Sequence, residues 1–164
     1  MTQPMPNFTV RTVDPDDRTW IAAFVSEHWC TDIVVVHSRV YRPDRLRGFV
    51  AESGSNILGL LTYNIDGFEC EIVTLNSVLE NQGVGTRLVR SVEQVSRQEG
   101  CRRLWLVTTN DNLNALRFYQ KRGFTLAAIR PDMVKESRKI KPEIPPVGMN
   151  GIPIRDEIEL EMKL

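Results

Sequence analysis

The change of hydrophobic period at residues 83–85 most constrains the fold of this chain. Before it, three runs read as long strands: "LRGFVAES", "NILGLLTYNIDG" and "FECEIVTLNSV". After it, apolar residues recur at helical spacing, at Val84, Leu88, Val92 and Val95, and Gly100 is a candidate C-cap. The chain is therefore expected to pass through three antiparallel strands and then into a helix that packs on their sheet.

Strand-like and helix-like segments alternate along the rest of the chain. Asp14 can cap a helix that has Pro15 at its first position and ends near Trp29, and a shorter helix is expected from about Asn112 to Arg122. Further strands are expected in "FTVRTV", "RRLWLVTTN", "FTLAAIR" and "EIELEMKL", while "IVVVH" fits either a strand or a turn. The order β-α-β-β-β-α-β-α-β-β predicts one α/β (α+β) domain over residues 1–164. Its sheet should be mixed and largely antiparallel, with helices on both faces.

Composition narrows the classes of function. Lys plus Arg and Asp plus Glu each number 21 among the 164 residues, so no global basic field favours nucleic acid or a membrane. The three cysteines lack Cys-x-x-Cys spacing, which disfavours a disulfide framework and a thiolate metal site and favours three buried thiols. The start "MTQPMPNFTV" has neither a basic nor an apolar leader region, and no apolar run reaches spanning length. These features predict a cytoplasmic protein.

A proline-rich stretch at about 131–153 interrupts the pattern. It holds five prolines and two glycines, which disfavour continuous regular structure and predict an irregular loop. From Arg130 to Lys141 five basic residues outnumber two acidic ones. A functional loop that attracts an acidic substrate and a merely solvated connection both fit this stretch.

Glycines stand where the strand pattern gives way to the helical one, in "ENQGVGTRLV". The stretch is not a dinucleotide fingerprint, because Leu88 stands where a third small residue is needed, and no Gly-Lys-Ser or Gly-Lys-Thr forms a P-loop. A glycine-bearing helix N-terminus nevertheless offers free amides and a positive dipole end to a pyrophosphate. On these residues alone, a plain turn and an anion site are equally good interpretations.

Two stretches together resemble the GNAT superfamily of acetyl-CoA-dependent N-acetyltransferases. In that family the loop reads Gln or Arg, two residues, Gly, one residue, then Gly or Ala; here it runs from Glu80 to Gly85. The second motif lies in "NLNALRFYQKRGF", where the matching positions are Asn112, Ala115, Tyr119, Gly123 and Phe124. The match is close over residues 48–129 and extends to the rest of the chain by element order.

The resemblance implies a site for acetyl-CoA as cosubstrate. It implies that the main chain of residues 81–86 holds the pyrophosphate, that the strand near Leu75 pairs with the pantetheine arm, and that a splayed gap opens between this strand and "RRLWLVTTN". The implied cofactor-binding residues are Leu75, Asn81, Gln82, Gly83, Val84, Gly85, Thr86, Asn112 and Ala115. Glu80 departs from the usual Gln or Arg and places a negative charge near phosphates, which predicts weaker affinity for the cofactor. The implied partners are acetyl-CoA and an amine acceptor, without a metal, and a homodimer is left open.

Acyl transfer from a thioester to an amine requires a base, a group that stabilises the oxyanion and an acid for the departing thiolate. Tyr119 occupies the family's place for the general acid, and its ordinary pKa of about 10 lies near that of a thiol, about 8.5. Strand alternation puts Glu69, Glu71, Val73 and Leu75 on one face. Glu71 is the candidate base, directly or through water, with Glu69 as the second choice and bulk water as a third. A main-chain amide near Leu75 is expected to meet the oxyanion.

The remaining polar candidates are assigned structural roles. His28 and His37 have no second ligand at metal spacing, and Asp156 and Glu157 are expected to point outward from an alternating strand rather than into an acceptor pocket. The sequence thus predicts an N-acetyltransferase that moves acetyl from acetyl-CoA to a primary amine by direct attack in a ternary complex. An acyl-CoA-binding sensor without turnover and a plain nucleotide-binding domain are the alternatives.

Overall fold

The fold is built on one seven-stranded sheet in a computed structural model that describes residues 7–79 and 81–164. The strand order is β1-β4-β5-β6-β7-β9-β8, and a separate two-stranded hairpin is formed by β2 and β3. The strands are β1 (Thr9–Thr12), β2 (Val34–Val36), β3 (Arg39–Tyr41), β4 (Arg47–Ser53), β5 (Asn56–Asp66), β6 (Glu69–Ser77), β7 (Arg103–Thr109), β8 (Thr125–Arg130) and β9 (Glu157–Lys163). The "IVVVH" run is therefore a strand that turns back on itself at His37 and Ser38, both of which have positive φ.

Helices cover both faces of the sheet, as predicted. They are α1 (Arg18–Trp29), α2 (Val84–Gln98), α3 (Leu113–Gln120) and α4 (Met133–Ile140). On one side, Ile21 and Val25 of α1 pack with Val50, Leu60 and Val73 and with the β2–β3 hairpin. On the other side, the apolar stripe of α2 and Tyr119 of α3 pack in a second cluster. We call these two sides the α1 face and the α2 face.

The sheet splits between β6 and β7. All its other strand pairs are antiparallel, whereas β6 and β7 run parallel and pair only from Glu69–Arg103 to Ile72–Leu106. Beyond that point β6 continues to Ser77 and β7 to Thr109, so an edge of each strand is left without this pairing. The predicted mixed, largely antiparallel sheet with a splayed cleft is confirmed.

A β-bulge at Val73 changes which face β6 presents. Thr74 is opposite Thr62 but Ile72 is opposite Tyr63, so β6 carries one extra residue. A bulge shifts the alternation of side chains by one position. Val73 therefore packs on the α1 face and Leu75 on the α2 face. The prediction that Leu75 shares a face with Glu71 and Val73 was wrong, because period-two alternation does not survive the inserted residue.

The proline-rich stretch is more regular than predicted. It contains α4, whose eight residues include the buried Val134 and Ser137. The Arg138 guanidinium donates to the carbonyls of Ile144, Pro145 and Ile154. The buried Lys141 ammonium donates to the carbonyls of Trp29 and Ile33 at 2.6 and 2.9 Å. These bases tie the segment down, so only part of its positive charge is free to attract an anion.

The end of this segment is fastened to the end of β7. Asp111 is buried and accepts hydrogen bonds from the Thr109 hydroxyl and from the Met149 amide, the latter at 3.1 Å. Gly148 fits beside this carboxylate only because it has no side chain: a Cβ there would lie 2.0 Å from Asp111 Oδ2 and 2.8 Å from Ile154 Cδ1.

Gly148→Ala is therefore expected to destabilise the protein by about 1–3 kcal/mol, the usual cost of overpacking a filled site. Urea unfolding measures this change. Gly151→Asn is the control, since Gly151 has a φ of +70° in open space and Asn tolerates that conformation. Equal stability of the two variants would show that the fit of Gly148 against Asp111 is not required.

The three cysteines differ in exposure. Cys70 and Cys101 are buried, but Cys30 is exposed, so the prediction of three buried thiols was wrong for Cys30, which ends α1 with a φ of 68°. None of the helices in the described residues is both long and apolar enough to cross a membrane.

Candidate active site

The N-terminus of α2 lacks a capping side chain. Its N-cap is Gly83, which has φ 78° and ψ 0°, in the left-handed region that glycine adopts without strain. The first amides of a helix have no partner within the helix. Among the described residues, nothing accepts a hydrogen bond from the amides of Val84, Gly85 and Thr86. This helix end can therefore receive an anion.

The glycines of the loop have different roles. A Cβ on Gly83 would meet no atom within 4 Å, so this position is open. A Cβ on Gly85 would lie 3.1 Å from Cζ of Phe118, and Gly85 itself is buried. Gly85 thus allows α3 to pack closely on α2, whereas Gly83 shapes the turn that exposes the amides.

Arg122 places a cation beside this turn. Its Nε lies 3.1 Å from the Thr86 hydroxyl oxygen, and its guanidinium stacks 3.5 Å from the centre of the Phe118 ring. Burial lowers the pKa of Arg122, and no described carboxylate forms an ion pair with it. From its sequence position Arg122 was expected only as the last residue of α3, although it directly precedes the Gly123-Phe124 motif.

The other predicted cofactor residues surround the same end of the cleft. Leu75 lies beyond the last β6–β7 pair and is paired on its other side with Leu61, so its edge toward β7 is free. Asn112 caps α3 by accepting a hydrogen bond from the Ala115 amide at 3.0 Å. Ala115 packs on the cluster of the α2 face. Asn81 has a φ of 59° and Gln82 follows it into the turn, while Glu80 lies outside the described residues.

Tyr119 lies in the core of the α2 face. Its ring meets Phe118 and Phe124 edge-on, with centroids 5.0 and 5.2 Å away. Only 6% of the residue is exposed, and its hydroxyl has no hydrogen-bond partner among the described residues. Burial raises the pKa of Tyr119 above its ordinary value, so the group stays protonated at neutral pH. With its ordinary pKa, a tyrosine would exchange a proton with a thiolate in a nearly balanced equilibrium. Burial shifts that equilibrium toward the protonated Tyr119.

A pocket of about 300 Å³ lies on the α1 face, beneath the β2–β3 hairpin. We call it the hairpin pocket. It is lined by Val36, His37, Arg39, Asn64, Asp66, Glu69, Glu71, Arg103, Trp105, Arg130 and Glu159. Glu71 and Trp105 are opposite each other in the parallel β6–β7 pair, one pair before the strands separate. The pocket therefore borders the cleft from the face opposite to Tyr119.

Glu71 is the carboxylate in this pocket that lacks a direct cationic partner. It is 3% exposed, its Oε2 accepts a hydrogen bond from the Tyr41 hydroxyl at 2.6 Å, and its Oε1 is buried with no described partner. Burial raises the pKa of Glu71, and the Tyr41 hydrogen bond opposes that rise. A buried acceptor without a donor costs free energy, which a ligand with a polar hydrogen would recover.

The other charges of the pocket are largely paired. Arg103 binds Glu159 and Glu161, and it lies 3.4 Å from Glu69, whose side chain is half exposed. The His37 ring contacts Glu157 at 2.6 Å and Glu159 at 3.3 Å, and the first of these hydrogen bonds raises the pKa of His37. These contacts fit the structural role expected for His37, yet it also lines the pocket, which its sequence position did not indicate.

The prediction that Asp156 and Glu157 point outward was wrong. They are 9% and 3% exposed; Asp156 accepts from the Asp132 amide and pairs with Arg155, and Glu157 binds His37 and the Ser137 hydroxyl. Glu157, the first residue of β9, is covered by His37 of the hairpin and Ser137 of α4, and Asp156, which precedes the strand, is tied to the residue before α4. His28 is exposed, its Nδ1 lies 2.8 Å from the Phe24 carbonyl oxygen of its own helix, and its ring stacks on the Phe24 ring. In the described part of the chain, no group of three or more His, Cys, Asp or Glu side chains is placed to hold a metal ion.

Comparison with known proteins places this architecture in a family. The model of the acetyltransferase (GNAT) family matches residues 9–124. The uncharacterized protein YdhI of Bacillus subtilis (strain 168) is 50% identical over 137 residues, which cover 82% of this chain and 85% of that protein.

Solved structures show the same fold. An IAA acetyltransferase from Bacillus cereus ATCC 14579 superimposes with a TM-score of 0.74 at 21% identity, over 96% of this chain and 100% of that one. A GNAT family acetyltransferase from Elizabethkingia anophelis, with acetyl-CoA bound, gives a TM-score of 0.69 at 23% identity, over 96% and 99% of the two chains. The family match covers most of the chain, and it agrees with the split sheet and the open N-terminus of α2. This protein belongs to the acetyltransferase (GNAT) family.

Proposed function

We propose that the protein is an N-acetyltransferase that transfers acetyl from acetyl-CoA to a primary amine by direct attack in a ternary complex. One observation carries the proposal: the split between β6 and β7 has an open anion site and a buried tyrosine on one face and a buried, half-satisfied carboxylate on the other. The bound acetyl-CoA of the Elizabethkingia anophelis relative supports the choice of cosubstrate. A cytoplasmic location is part of the same proposal.

The residues on the α2 face fit a CoA thioester. The amides of Val84, Gly85 and Thr86 and the Arg122 guanidinium can meet the pyrophosphate. The free edge of β6 near Leu75 can pair with the amides of the pantetheine arm as an added strand would. Asn112 and Ala115 would border that arm from the start of α3.

The residues on the α1 face fit the amine. Glu71 Oε1 would accept a proton from the incoming ammonium, directly or through one water, and so generate the neutral nucleophile. The raised pKa of Glu71 brings it closer to neutrality, which suits a base. As the new C–N bond forms, a main-chain amide near the bulge and Leu75 would stabilise the negative oxygen, because a bulge leaves a residue out of the ladder.

Tyr119 would complete the reaction on the α2 face. The C–S bond breaks as the addition product collapses, and the Tyr119 hydroxyl would give its proton to the departing thiolate. The second proton leaves the nitrogen as the amide forms and returns to the Tyr119 oxygen through solvent. The high pKa of a buried phenol opposes this transfer. The same desolvation makes the thiolate more basic, since burial in apolar surroundings raises the pKa of a thiol. The two effects offset each other when donor and acceptor share one site.

The test is transfer itself. Release of free thiol from acetyl-CoA is measured with amino acids, polyamines, aminoglycosides and lysine peptides, and mass spectrometry identifies the acetylated product. The proposal expects amine-dependent thiol release with equal amounts of acetylated amine. Tight binding of CoA without transfer to any of these amines would contradict it and would favour an acyl-CoA sensor.

The anion site can be tested separately with two variants that differ only in charge. The variants are Gly83→Asp and Gly83→Asn. Asp and Asn both tolerate the left-handed backbone conformation of Gly83, and the side chain of either would enter open space. The aspartate adds a negative charge at the site proposed for the pyrophosphate, which should weaken CoA binding at least about tenfold. Calorimetry should show near-native CoA affinity for Gly83→Asn, and neither variant should lose much thermal stability. Equal CoA affinity of the two variants would place the pyrophosphate elsewhere.

A further inference from the structure

We infer that Tyr41 is a positioning residue for the proposed reaction: its hydroxyl fixes one carboxylate oxygen of Glu71 and leaves the other for the amine. The inference rests on the proposed function, in which Glu71 is the base. Tyr41 lies on the β2–β3 hairpin, which the sequence did not predict as a pair of strands and to which it assigned no function.

The geometry divides the two oxygens of Glu71. Oε2 is bound by Tyr41 at 2.6 Å, and Oε1 has no described partner although the residue is 3% exposed. The Tyr41 hydroxyl oxygen in turn accepts a hydrogen bond from Nη1 of Arg39 at 3.4 Å. Because a guanidinium can only donate, the hydroxyl proton of Tyr41 stays on the hydrogen bond to Glu71. A carboxylate held at one oxygen cannot rotate freely, so the free oxygen keeps one direction.

The hairpin that carries Tyr41 is itself anchored. At its turn, Nδ1 of His37 binds Glu157 at 2.6 Å and its amide lies 3.3 Å from the same oxygen. Glu157 is buried and also accepts a hydrogen bond from Ser137 of α4, at 3.1 Å. Tyr41 is thus presented by a strand that is fastened to β9 and α4, which a positioning role requires.

The charges around Glu71 show what the Tyr41 hydrogen bond does. Burial raises the pKa of Glu71, the Tyr41 hydrogen bond lowers it, Arg39 and His37 lower it further, and Glu159 raises it. The other charged groups that line the pocket are Asp66 on β5, Glu69 on β6, Arg103 on β7 and Arg130 on β8. Burial also raises the pKa of Tyr41, which therefore remains a donor throughout the neutral range. Loss of its hydroxyl should raise the pKa of Glu71.

The first test compares the pH dependence of kcat/KM in the wild type and in Tyr41→Phe. A hydrogen bond to a charged group changes an equilibrium constant by about ten- to a hundredfold. Without it the pKa of Glu71 should rise, and the acid limb of the profile should move to higher pH by about one unit or more. The rate below that limb should fall correspondingly. Tyr63→Phe is the matched control. It also removes one tyrosine hydroxyl, but from the opposite, α2 face, so it should leave the profile unchanged. An acid limb that stays in place in Tyr41→Phe would overturn the inference.

A second test needs no turnover. The ¹³C-labelled carboxyl of Glu71, assigned by its absence in Glu71→Gln, is titrated by NMR in the wild type and in Tyr41→Phe. The inference expects a higher pKa in the variant, and an equal pKa would overturn it. Its failure and that of the proposed function are distinguishable. Failure to transfer acetyl to any amine contradicts the proposed function, whereas an unshifted Glu71 titration in a working enzyme contradicts only the role of Tyr41.

Discussion

Tyr119→Phe is expected to lower the maximal turnover of the proposed reaction by about 10²- to 10⁴-fold, the usual contribution of a positioned acid or base. The ring that packs against Phe118 and Phe124 is kept, so the core of the α2 face is preserved. The hydroxyl that is removed has no described hydrogen-bond partner, so the free energy of unfolding should change little. What is lost is the proton for the departing thiolate, and water can replace it only in part.

Stopped-flow measurement of thiol release checks this result under conditions where chemistry limits the rate. Calorimetry should find CoA affinity close to that of the wild type, because the lost hydroxyl acts on the chemical step. A correctly folded Tyr119→Phe protein with wild-type turnover would remove Tyr119 from the mechanism.

Glu71→Gln should combine a large loss of activity with a gain in stability. The proposed base is lost, so kcat/KM should fall by about 10²- to 10⁴-fold. Burial raises the pKa of Glu71 above its ordinary 4.5, so the neutral acid is the form that folding favours. The stability that this preference contributes is fully present below pH 4.5 and is lost as the pH rises through the pKa of the folded protein. Glutamine is neutral at every pH and avoids that loss.

Thermal unfolding as a function of pH checks the second half of this prediction. The Tm of Glu71→Gln relative to that of the wild type should rise with pH and reach a positive difference of a few degrees at pH 8. Glu69→Gln is the control, because Glu69 lines the same pocket with a side chain that is half exposed. If Glu69→Gln lost the activity and Glu71→Gln retained it, Glu69 would be the base. If both retained it, water would be the base.

The features that depend on local pattern could be predicted from the sequence. The helical spacing from Val84 and the glycine at position 100 predicted α2 within two residues, and α3 lies within two residues of the bounds expected from Asn112 to Arg122. The antiparallel order of β4, β5 and β6 followed from three adjacent strand-like runs. Period and capping depend on neighbours a few residues away, which is why a single sequence contains them.

The features that depend on distant contacts could not be predicted. The bulge at Val73 arises from the register of β6 on β5, and it reverses the face expected for Leu75. Helix α4, whose eight residues lie between prolines, is held by the hydrogen bonds of Ser137 to Glu157 and of the Val134 amide to the Arg155 carbonyl.

The pocket depends on such contacts too. His37 meets Glu157 across 120 residues of sequence, so neither residue predicts the other. Tyr41 and Glu71 are likewise brought together only by the fold, across 30 residues. The pocket side chains meet under the β2–β3 hairpin through contacts between separate elements, which no local sequence pattern contains.

The most direct test of the proposed mechanism is a crystal structure with a bisubstrate ligand, in which CoA is joined through an acetyl bridge to an amine that the enzyme accepts. We expect the pyrophosphate at the amides of residues 84–86, the bridge in the split between β6 and β7, and the amine in the hairpin pocket within hydrogen-bond reach of Glu71 Oε1. An amine on the α2 face, or a bridge outside the split, would contradict the claim that the two substrates meet through the sheet from opposite faces.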